Sequence, residues 1–472
     1  MKLDNFEEWF AIRANHSDDD HWPGRLSFDL ENGIYLTTAR FAGDADSFGD
    51  PTFHARTMTG WLDYQRPTTL IHPWIQTVGG FTASVDAPAM RASYRFVVNA
   101  VLKNVFLEDI DERMFTGLVV EHPAINAWIN PRLVDHDWSR SENAGLPSLS
   151  VAVEPPRQRT FRLQDGTEAV VTSATRAPQG EAMTLHEYTV LRLRFPEPVD
   201  YEAITRLTWR ISVLFEFMIG ARTEAPVYQL PTTRTRMWND EPREVVAEFW
   251  YLPARKGRNK SVSPRASQRL TVEGRSAISL EALLNRVVGG SDELIYLANV
   301  IQSVEDQELS LTQGYGELIG CLEDFDGRQF GSGADPDFRD SMQSLARVVQ
   351  QHGSEADRAL FERLRGGARN SYSLLKRLER LHQFWSDDDF RGNPNLRRIR
   401  DIRNLLPHGQ GLQLSSNVAH EMVTYLSYLT ALGRYHVLRA LGCTGDEIAA
   451  AFSWQAHRYG MFVPERTFRA GP

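Results

Sequence analysis

The spacing of apolar residues changes once along this chain, from the period of β-strands to the period of helices. In the N-terminal half, apolar and polar side chains alternate in short runs, as in residues 186–195, where Leu191, Leu193 and Phe195 are separated by arginines. From Ile278 onward, apolar residues recur every three or four positions. The first pattern is typical of half-buried strands and the second of amphipathic helices. The sequence therefore predicts an α+β fold, with a β-rich N-terminal domain followed by an all-α helical bundle.

The two patterns are separated by a segment of different composition. Residues 254–277 are rich in arginine and lysine among serine, glycine and proline. A chain of 472 residues suggests two or three domains. We therefore expect a β-rich domain over residues 1–253, a basic linker over 254–277 and a helical domain over 278–472. An alternative for the basic segment is an arm that follows a nucleic-acid backbone.

Turn residues predict hairpins in the first domain. Strands over residues 25–30 and 34–38 flank an Asn-Gly turn, and strands over 160–163 and 169–172 flank an Asp-Gly turn. These dipeptides adopt the backbone angles of tight two-residue hairpin loops. A last strand is expected over residues 245–252.

Other segments of this domain predict longer strands and one helix. Residues 94–107 and 115–129 are rich in β-branched and aromatic residues, which favours strands. A bulge is expected near Val190, where the register of apolar residues changes. Asp200 can cap a helix that Gly220 ends, with an apolar stripe between them.

The second half predicts a series of helices. Their apolar stripes fall within residues 280–287, 294–304, 345–349, 374–384 and 418–436. Thr444 and Glu447 form a capping-box pattern that opens a last helix. A Gly- and Asp-rich loop is expected over residues 324–337, where Asp324-Phe325-Asp326-Gly327 resembles part of a calcium loop without its closing glutamate.

Composition excludes several classes of protein. The net charge of −9 argues against a globally basic nucleic-acid binder, so any RNA contact needs a local patch. Two cysteines argue against a disulfide scaffold and fit a cytoplasmic protein. No run of 18 apolar residues predicts a membrane span, and the acidic N-terminal segment does not resemble a signal peptide. We expect no metal and no cofactor, since His16 and His21 flank what reads as an acidic loop.

Arg403 and His408 are the candidate catalytic pair. They lie five positions apart, at the end of a predicted helix that starts near Asn395. Arginine binds phosphate through a charged fork of donors, and histidine transfers protons near neutral pH. Pro407 ends the helix, which would let both side chains face one groove. The alternative is a surface arginine with a histidine that meets the negative end of the helix dipole.

The surroundings of this pair resemble a known family. Residues 399–409 are similar to the Arg-Asn-x-x-x-His-Gly signature in the HEPN domain of ApeA-like bacterial phage-defence proteins. Residues 418–441, followed by Gly442, resemble the helix after that signature, and residues 297–305 resemble an earlier helix that carries an acidic residue, here Glu305. Pro407 departs from the pattern, because a small residue is commoner there.

The N-terminal half resembles the β-rich domain that accompanies this HEPN domain. The similar residues are 23–29 with 33–36, which resemble its opening hairpin, and 60–62 with 68–70, which resemble its next motif. The resemblance implies an RNA-cleaving effector of abortive infection that acts as a homodimer or a higher even oligomer. It also implies that the N-terminal domain senses infection or controls the nuclease. RNA, tRNA among the candidates, is the expected partner, and the phage trigger is not specified.

The resemblance also gives roles to individual residues. His408 is expected to act as acid or base, Arg403 to stabilise the charge of the transition state, and Asn404 to orient a ligand or His408. Glu305 is expected to hold Arg403 or to be a solvated helix residue. Three further arginines of the same helix would bind the RNA phosphates that flank the cleaved one: Arg397, Arg398 and Arg400. The alternative is that these three residues form only a solvated helix face.

Two other readings remain open from the sequence. One is a catalytically inactive HEPN module that only binds RNA or a protein partner. The other is a carbohydrate-binding β-sandwich with a helical dimerisation tail, which tryptophans such as Trp61 and Trp74 allow. An open groove that holds both Arg403 and His408 would favour the nuclease, and an exposed coplanar row of aromatic rings would favour the carbohydrate-binding protein.

Overall fold

The computed structural model describes most of the chain in two compact units. The described residues are 6–13, 21–29, 33–41, 56–63, 65–84, 87–140, 147–176, 185–251, 269–275, 277–331, 336–367, 373–406 and 415–464. One unit contains residues 1–274 and 279–289, and the other contains residues 275–278 and 290–472. The first unit is rich in β-strands and the second is helical, so the predicted α+β class is confirmed.

The strands all belong to the first unit. They are β1 Phe6–Arg13, β2 His21–Asp29, β3 Gly33–Phe41, β4 Thr57–Leu62, β5 Arg66–Ile71, β6 Trp74–Ser84, β7 Ala87–Val98, β8 Ala100–Lys103, β9 Phe115–Glu121, β10 Val134–Arg140, β11 Pro147–Val153, β12 Arg157–Arg162, β13 Glu168–Arg176, β14 His186–Val199, β15 Val227–Trp238 and β16 Glu241–Tyr251. Fourteen of them form one sheet, in the order β12-β13-β14-β9-β15-β16-β8-β5-β4-β1-β2-β3-β7-β6, and β10 pairs with β11. Neighbouring strands are antiparallel, and the pairings β2–β3 and β12–β13 confirm the two predicted hairpins.

Alternating side chains of these strands make a hydrophobic core. Phe10 and Ile12 of β1 pack with Leu26 and Phe28 of β2, together with residues of β3, β4, β5, β7 and β8. Each of these side chains is at most a few per cent exposed. Burying a side chain of this size contributes about 1.5–3 kcal/mol, so this alternation is what holds the strands in register.

The expectation of strand over residues 115–129 is wrong in its second half. Strand β9 ends at Glu121, and Pro123–Ile129 forms helix α1. His122 caps this helix, because its Nδ1 accepts a hydrogen bond from the amide of Ala124 at 3.1 Å. Pro123 occupies the first turn, where a fixed φ favours the helix. Capping and proline thus override the β-propensity of the residues that follow.

The irregularity of β14 lies further along the strand than the predicted bulge at Val190. Val190 pairs regularly with Glu121 of β9, and the register shifts between Arg194 and Val199. Pro196 and Pro198 fall within that interval. Proline has no amide hydrogen to donate, which interrupts the ladder there.

Helix α2, Tyr201–Ile219, begins and ends where the sequence predicts. The Asp200 side chain accepts a hydrogen bond from the amide of Ala203 at 2.9 Å, and Gly220 ends the helix with φ +69°. This left-handed conformation favours glycine. The C-terminal part of the basic segment pairs with this helix end, since the amides of Leu270 and Thr271 donate to the carbonyls of Ile219 and Met218.

The remaining helices follow in chain order. They are α3 Leu280–Gly289, α4 Asp292–Glu305, α5 Leu311–Gln329, α6 Pro336–His352, α7 Glu355–Gly367, α8 Leu374–Asp387, α9 Leu396–Leu405, α10 Ser416–Ala440, α11 Gly445–Trp454 and α12 Ala456–Tyr459, followed by a 3-10 turn at Gly460–Phe462. Helix α3 groups with the β-rich unit and packs on α2. The capping box of Thr444 and Glu447 opens α11 as predicted.

Helix α10 is the centre of the helical unit and packs against α4, α5, α8, α9 and α11. Its buried face continues into a cluster of aromatic rings that surrounds Trp385 of α8, with Tyr428, Tyr435, Phe452 and Phe462. Tyr428, Leu429 and Leu432 are buried in this core. These three side chains therefore belong to the interior of the helical unit.

The loop expected over residues 324–337 is helical at both of its ends, over residues 324–329 and 336–337. Helix α5 runs through Asp324 and Gly327 to Gln329. Phe325 and Asp326 are buried, and Asp326 forms an ion pair with Arg380 of α8, which anchors this end of the helix. Asp324 is exposed on another face, so the two carboxylates do not converge as they do in a calcium loop.

Candidate functional site

Helix α9 carries the candidate residues. Asn395 caps it, with its Oδ1 accepting a hydrogen bond from the amide of Arg398 at 3.1 Å, and this confirms the predicted start. The helix extends to Leu405, two residues beyond Arg403. His408 and Pro407 lie outside the described residues.

One stripe of α9 is fixed in the core of the helical unit. Ile399 and Ile402 are completely buried. The buried hydroxyl of Tyr315, on α5, donates a hydrogen bond to the carbonyl of Ile399 at 3.1 Å. This contact sets both the rotation and the depth of α9 against α5.

Arg398 and Arg403 flank this stripe on opposite sides. Five residues advance a helix by roughly 500°, which leaves their side chains about 140° apart. Arg398 pairs with Glu421 of α10, with 2.7 Å between Nη2 and Oε2, whereas Arg403 pairs with Glu323 of α5, with 3.5 Å between Nη2 and Oε2. Arg398 and Arg403 thus form ion pairs with two different neighbouring helices.

The other polar candidates lie on the side of Arg403. At about 100° per residue, Arg397, Arg400 and Asn404 fall within about 120° of Arg403 on the helix surface. Arg397 and Asn404 are exposed, and Arg400 is partly exposed and forms an ion pair with Asp401. Four of the five described candidates of α9 therefore share one solvent-facing surface.

The partner of Arg403 is a half-buried carboxylate. The side chain of Glu323 is 25% exposed and that of Arg403 is 40% exposed. Burial raises the pKa of Glu323, and this outweighs the charges of Arg403 and Arg377, which lower it; neighbouring Asp324 raises it further. No sequence pattern marks Glu323, because it directly precedes the Gly- and Asp-rich residues 324–337 that predict a loop.

Glu305 forms ion pairs with residues other than Arg403. It forms ion pairs with Arg434 of α10 and Arg458 of α12, and it accepts a hydrogen bond from the hydroxyl of Tyr459. The side chain of Arg434 is 0% exposed. The structure thus places Glu305 in a buried network and gives the ion pair with Arg403 to Glu323.

The described residues hold no cluster of three or more His, Cys, Asp or Glu side chains that could bind a metal ion. Residues 14–20, which contain the Asp18-Asp19-Asp20 segment, lie outside the described part of the chain. Among the helices in that part, none combines the length and the apolar character that a membrane span requires.

A buried chain of hydrogen bonds in the β-rich unit joins His122, Ser212 and Tyr228. His122 Nε2 lies 3.2 Å from Ser212 Oγ, which lies 3.1 Å from the hydroxyl of Tyr228. Because Nδ1 of His122 accepts the amide hydrogen of Ala124, its Nε2 carries the proton and donates to the serine. This orientation is opposite to that of a general base and fits a structural role.

The environment of Trp61 does not favour a place for it in an exposed row of aromatic rings. Trp61 is partly buried and contacts Phe106 edge to face at 4.9 Å, while Trp74 is 45% exposed.

Comparison with known proteins agrees with the N-terminal assignment. Residues 8–226 match the family described as ApeA N-terminal domain 1. This range covers most of the β-rich unit, from β1 to the end of the turn after α2. The N-terminal part of this chain is therefore similar to ApeA N-terminal domain 1. Neither the curated proteins nor the solved structures include a significant match to the chain.

Proposed function

We propose that this protein is an antiphage-defence effector in which the helical unit is a metal-independent HEPN endoribonuclease controlled by the ApeA-like domain. The ApeA-like N-terminal domain supports a role in antiphage defence. The observation that carries the nuclease assignment is the position of Arg403: its guanidinium is held by Glu323 and remains 40% exposed, at the end of a helix whose outer face carries Arg397, Arg400 and Asn404.

The proposed reaction is an intramolecular transesterification of RNA. The ribose 2′-oxygen attacks the adjacent phosphorus as its proton passes to a base. The bond from phosphorus to the 5′-oxygen breaks, and that oxygen takes a proton from an acid. The products are a 2′,3′-cyclic phosphate and a 5′-hydroxyl. His408 is the proposed acid or base, and Arg403 stabilises the charge on the phosphate oxygens.

The other candidates have supporting roles in this proposal. Asn404 orients the RNA or His408, and Arg397 and Arg400 bind flanking phosphates on the surface they share with Arg403. Arg398, on the other flank of α9, would bind phosphate at the cost of its ion pair with Glu421. Glu305 is retained as a proposed active-site residue, but its role there is not to hold Arg403, because its carboxylate pairs with Arg434 and Arg458.

A homodimer, or a higher even oligomer, is part of the proposal. One Arg403–His408 pair supplies one cation and one imidazole, whereas transesterification gains from an acid and a base on opposite sides of the phosphate. A two-fold axis near the motif would bring a second pair into the same cleft. The protein is proposed to act in the cytoplasm, where RNA, tRNA included, is the substrate.

The decisive experiment uses the purified full-length protein and total cellular RNA, with and without a chelator, followed by sequencing of the RNA ends. We expect 2′,3′-cyclic phosphate ends and no direct effect of the chelator. Ends with a 5′-phosphate, or cleavage that stops with the chelator, would contradict the mechanism. RNA binding without cleavage under every condition would instead favour the catalytically inactive module.

A further inference from the structure

A second arginine contacts Glu323 from a third helix, at the backbone carbonyl of Glu323, whereas Arg403 pairs with the carboxylate. Arg377 lies on α8, and its Nη1 donates a hydrogen bond to the backbone carbonyl of Glu323 at 2.7 Å. The guanidinium lies directly over Gly327, where an added Cβ would come within 2.9 Å of Nη1. The lack of a side chain at Gly327 is what lets Arg377 approach α5 at this point.

The two arginines and Glu323 form one electrostatic group. The charges of both Arg403 and Arg377 act on the Glu323 carboxyl and lower its pKa, although burial raises it by more. Helices α5, α8 and α9 each contribute one of the three residues, and these helices pack against one another. Two cations are thus held near one carboxylate by the packing of the bundle.

We propose that Arg377 and Arg403 form a two-arginine clamp for one phosphate group of the RNA and that Glu323 is the positioning residue for Arg403. This inference rests on the proposed function. A guanidinium has five N–H donors in a planar fork, so a donor engaged with a carboxylate or a carbonyl leaves others for phosphate oxygens. A phosphodiester carries one negative charge and two non-bridging oxygens, so each arginine can donate to one of these oxygens.

Binding is tested in the full-length protein with His408→Ala, because RNA then stays intact. The probe is a labelled single-stranded RNA oligonucleotide, measured by fluorescence anisotropy at several salt concentrations. Adding Arg377→Ala or Arg403→Ala is expected to weaken binding about tenfold and to reduce the slope of log affinity against log salt by about 0.7. Arg328→Ala is the matched control, since Arg328 lies on α5, is 72% exposed and forms an ion pair with Glu293.

Two further variants separate the clamp from loss of folding. Gly327→Ala should displace the flexible end of Arg377 without removing any charge, and it is expected to weaken binding by a smaller factor. Arg377→Lys should keep the salt slope while losing part of the affinity. Unfolding midpoints of all variants are measured alongside. If Arg377→Ala behaves like Arg328→Ala in a folded protein, the clamp is wrong.

The role of Glu323 is tested by single-turnover cleavage in the protein with His408 intact. Glu323→Gln should lower the rate about tenfold with little change in RNA affinity, because a mispositioned Arg403 costs more in the transition state than in binding. Glu323→Asp should recover part of the rate. Loss of rate that only follows the unfolded fraction of each variant would overturn the positioning role.

These results also distinguish the clamp from the proposed nuclease. If the protein cuts no RNA but Arg377→Ala and Arg403→Ala still weaken binding, the clamp holds and the nuclease assignment fails. If the protein cuts RNA and Arg377→Ala changes neither affinity nor salt slope, the nuclease holds and the clamp fails.

Discussion

The guanidinium of Arg434 donates to both carboxylate oxygens of Glu305, from Nε to Oε1 at 3.3 Å and from Nη2 to Oε2 at 2.6 Å. Arg434 is completely buried, so removal of its side chain would leave a nearly buried carboxylate with only Arg458 and Tyr459. We expect Arg434→Ala to lower the free energy of unfolding by about 3 kcal/mol.

Urea denaturation followed by circular dichroism measures this effect. Arg434→Met provides the comparison. Methionine fills most of the volume of the arginine side chain but, like alanine, donates no hydrogen bond to the Glu305 carboxylate. A loss below about 1 kcal/mol for Arg434→Ala would show that Arg458 and Tyr459 alone satisfy Glu305.

Arg403→Ala and His408→Ala are each expected to lower RNA cleavage at least about 100-fold while the protein remains folded. Arg403 is 40% exposed, so its loss should leave the α9 core intact. Initial cleavage rates and thermal unfolding are measured together, with Arg328→Ala as the control for charge. Unchanged RNA ends and an unchanged rate in His408→Ala would remove the catalytic assignment.

Mixing Arg403→Ala protein with His408→Ala protein tests the composite site. A heterodimer keeps one intact arginine and one intact histidine, so partial cleavage should return after subunit exchange. Light scattering at micromolar concentration gives the oligomeric state of the same samples. A monomer with full wild-type activity would exclude a shared cleft.

Truncation tests the division of labour between the two units. A protein that begins at Gly290 should fold better than one that begins at Ala254, since α3 and residues 270–272 pack with the β-rich unit. The longer fragment would expose buried apolar residues such as Leu283 and Leu284. Yield, dimerisation and cleavage are compared between the fragments. A helical fragment that folds and dimerises but never cuts RNA would mean that the ApeA-like domain contributes to the chemistry itself.

His436 makes stability depend on pH. Burial lowers its pKa to about 4 from the ordinary value of 6.5, and its Nε2 donates to the carbonyl of Leu381 at 3.0 Å. The unfolded chain therefore binds more protons between these values. Stability is unaffected above about pH 6.5, falls as the pH drops, and has lost roughly 3 kcal/mol by about pH 4.

The measurement is the difference in unfolding free energy between the wild type and His436→Gln across this range. Glutamine can donate to the Leu381 carbonyl but does not titrate. Between about pH 6.5 and pH 4 the unfolding free energy of His436→Gln should therefore fall by roughly 3 kcal/mol less than that of the wild type. Parallel curves would show that the pKa of His436 is the same in the folded and the unfolded protein.

Local chemistry explains which parts of the fold could be predicted from the sequence. Asp200, Gly220, Asn395 and Thr444 were recognisable because capping and a left-handed C-terminal residue depend on side chains within a few positions. The hairpins at Gly33 and at Gly166 follow from turn residues in the same way. The α9 sequence likewise predicted where Arg403 lies along its helix.

Only the tertiary structure could pair Arg403 with Glu323 and Glu305 with Arg434. Sequence spacing fixes the face of a helix that a residue occupies, but the partner across the bundle depends on how helices pack. Helix α5 itself depends on that packing, since its glycines lower helix propensity while its buried face, with Leu318 and Leu322, packs against α4, α8 and α10. The sequence by itself therefore determined the fold class, the helix ends that depend on Asp200, Gly220, Asn395 and Thr444, and the candidate residues. The choice of carboxylate for Arg403, and the approach of Arg377 over Gly327, arise from contacts between segments about 50 to 80 residues apart that no local pattern encodes.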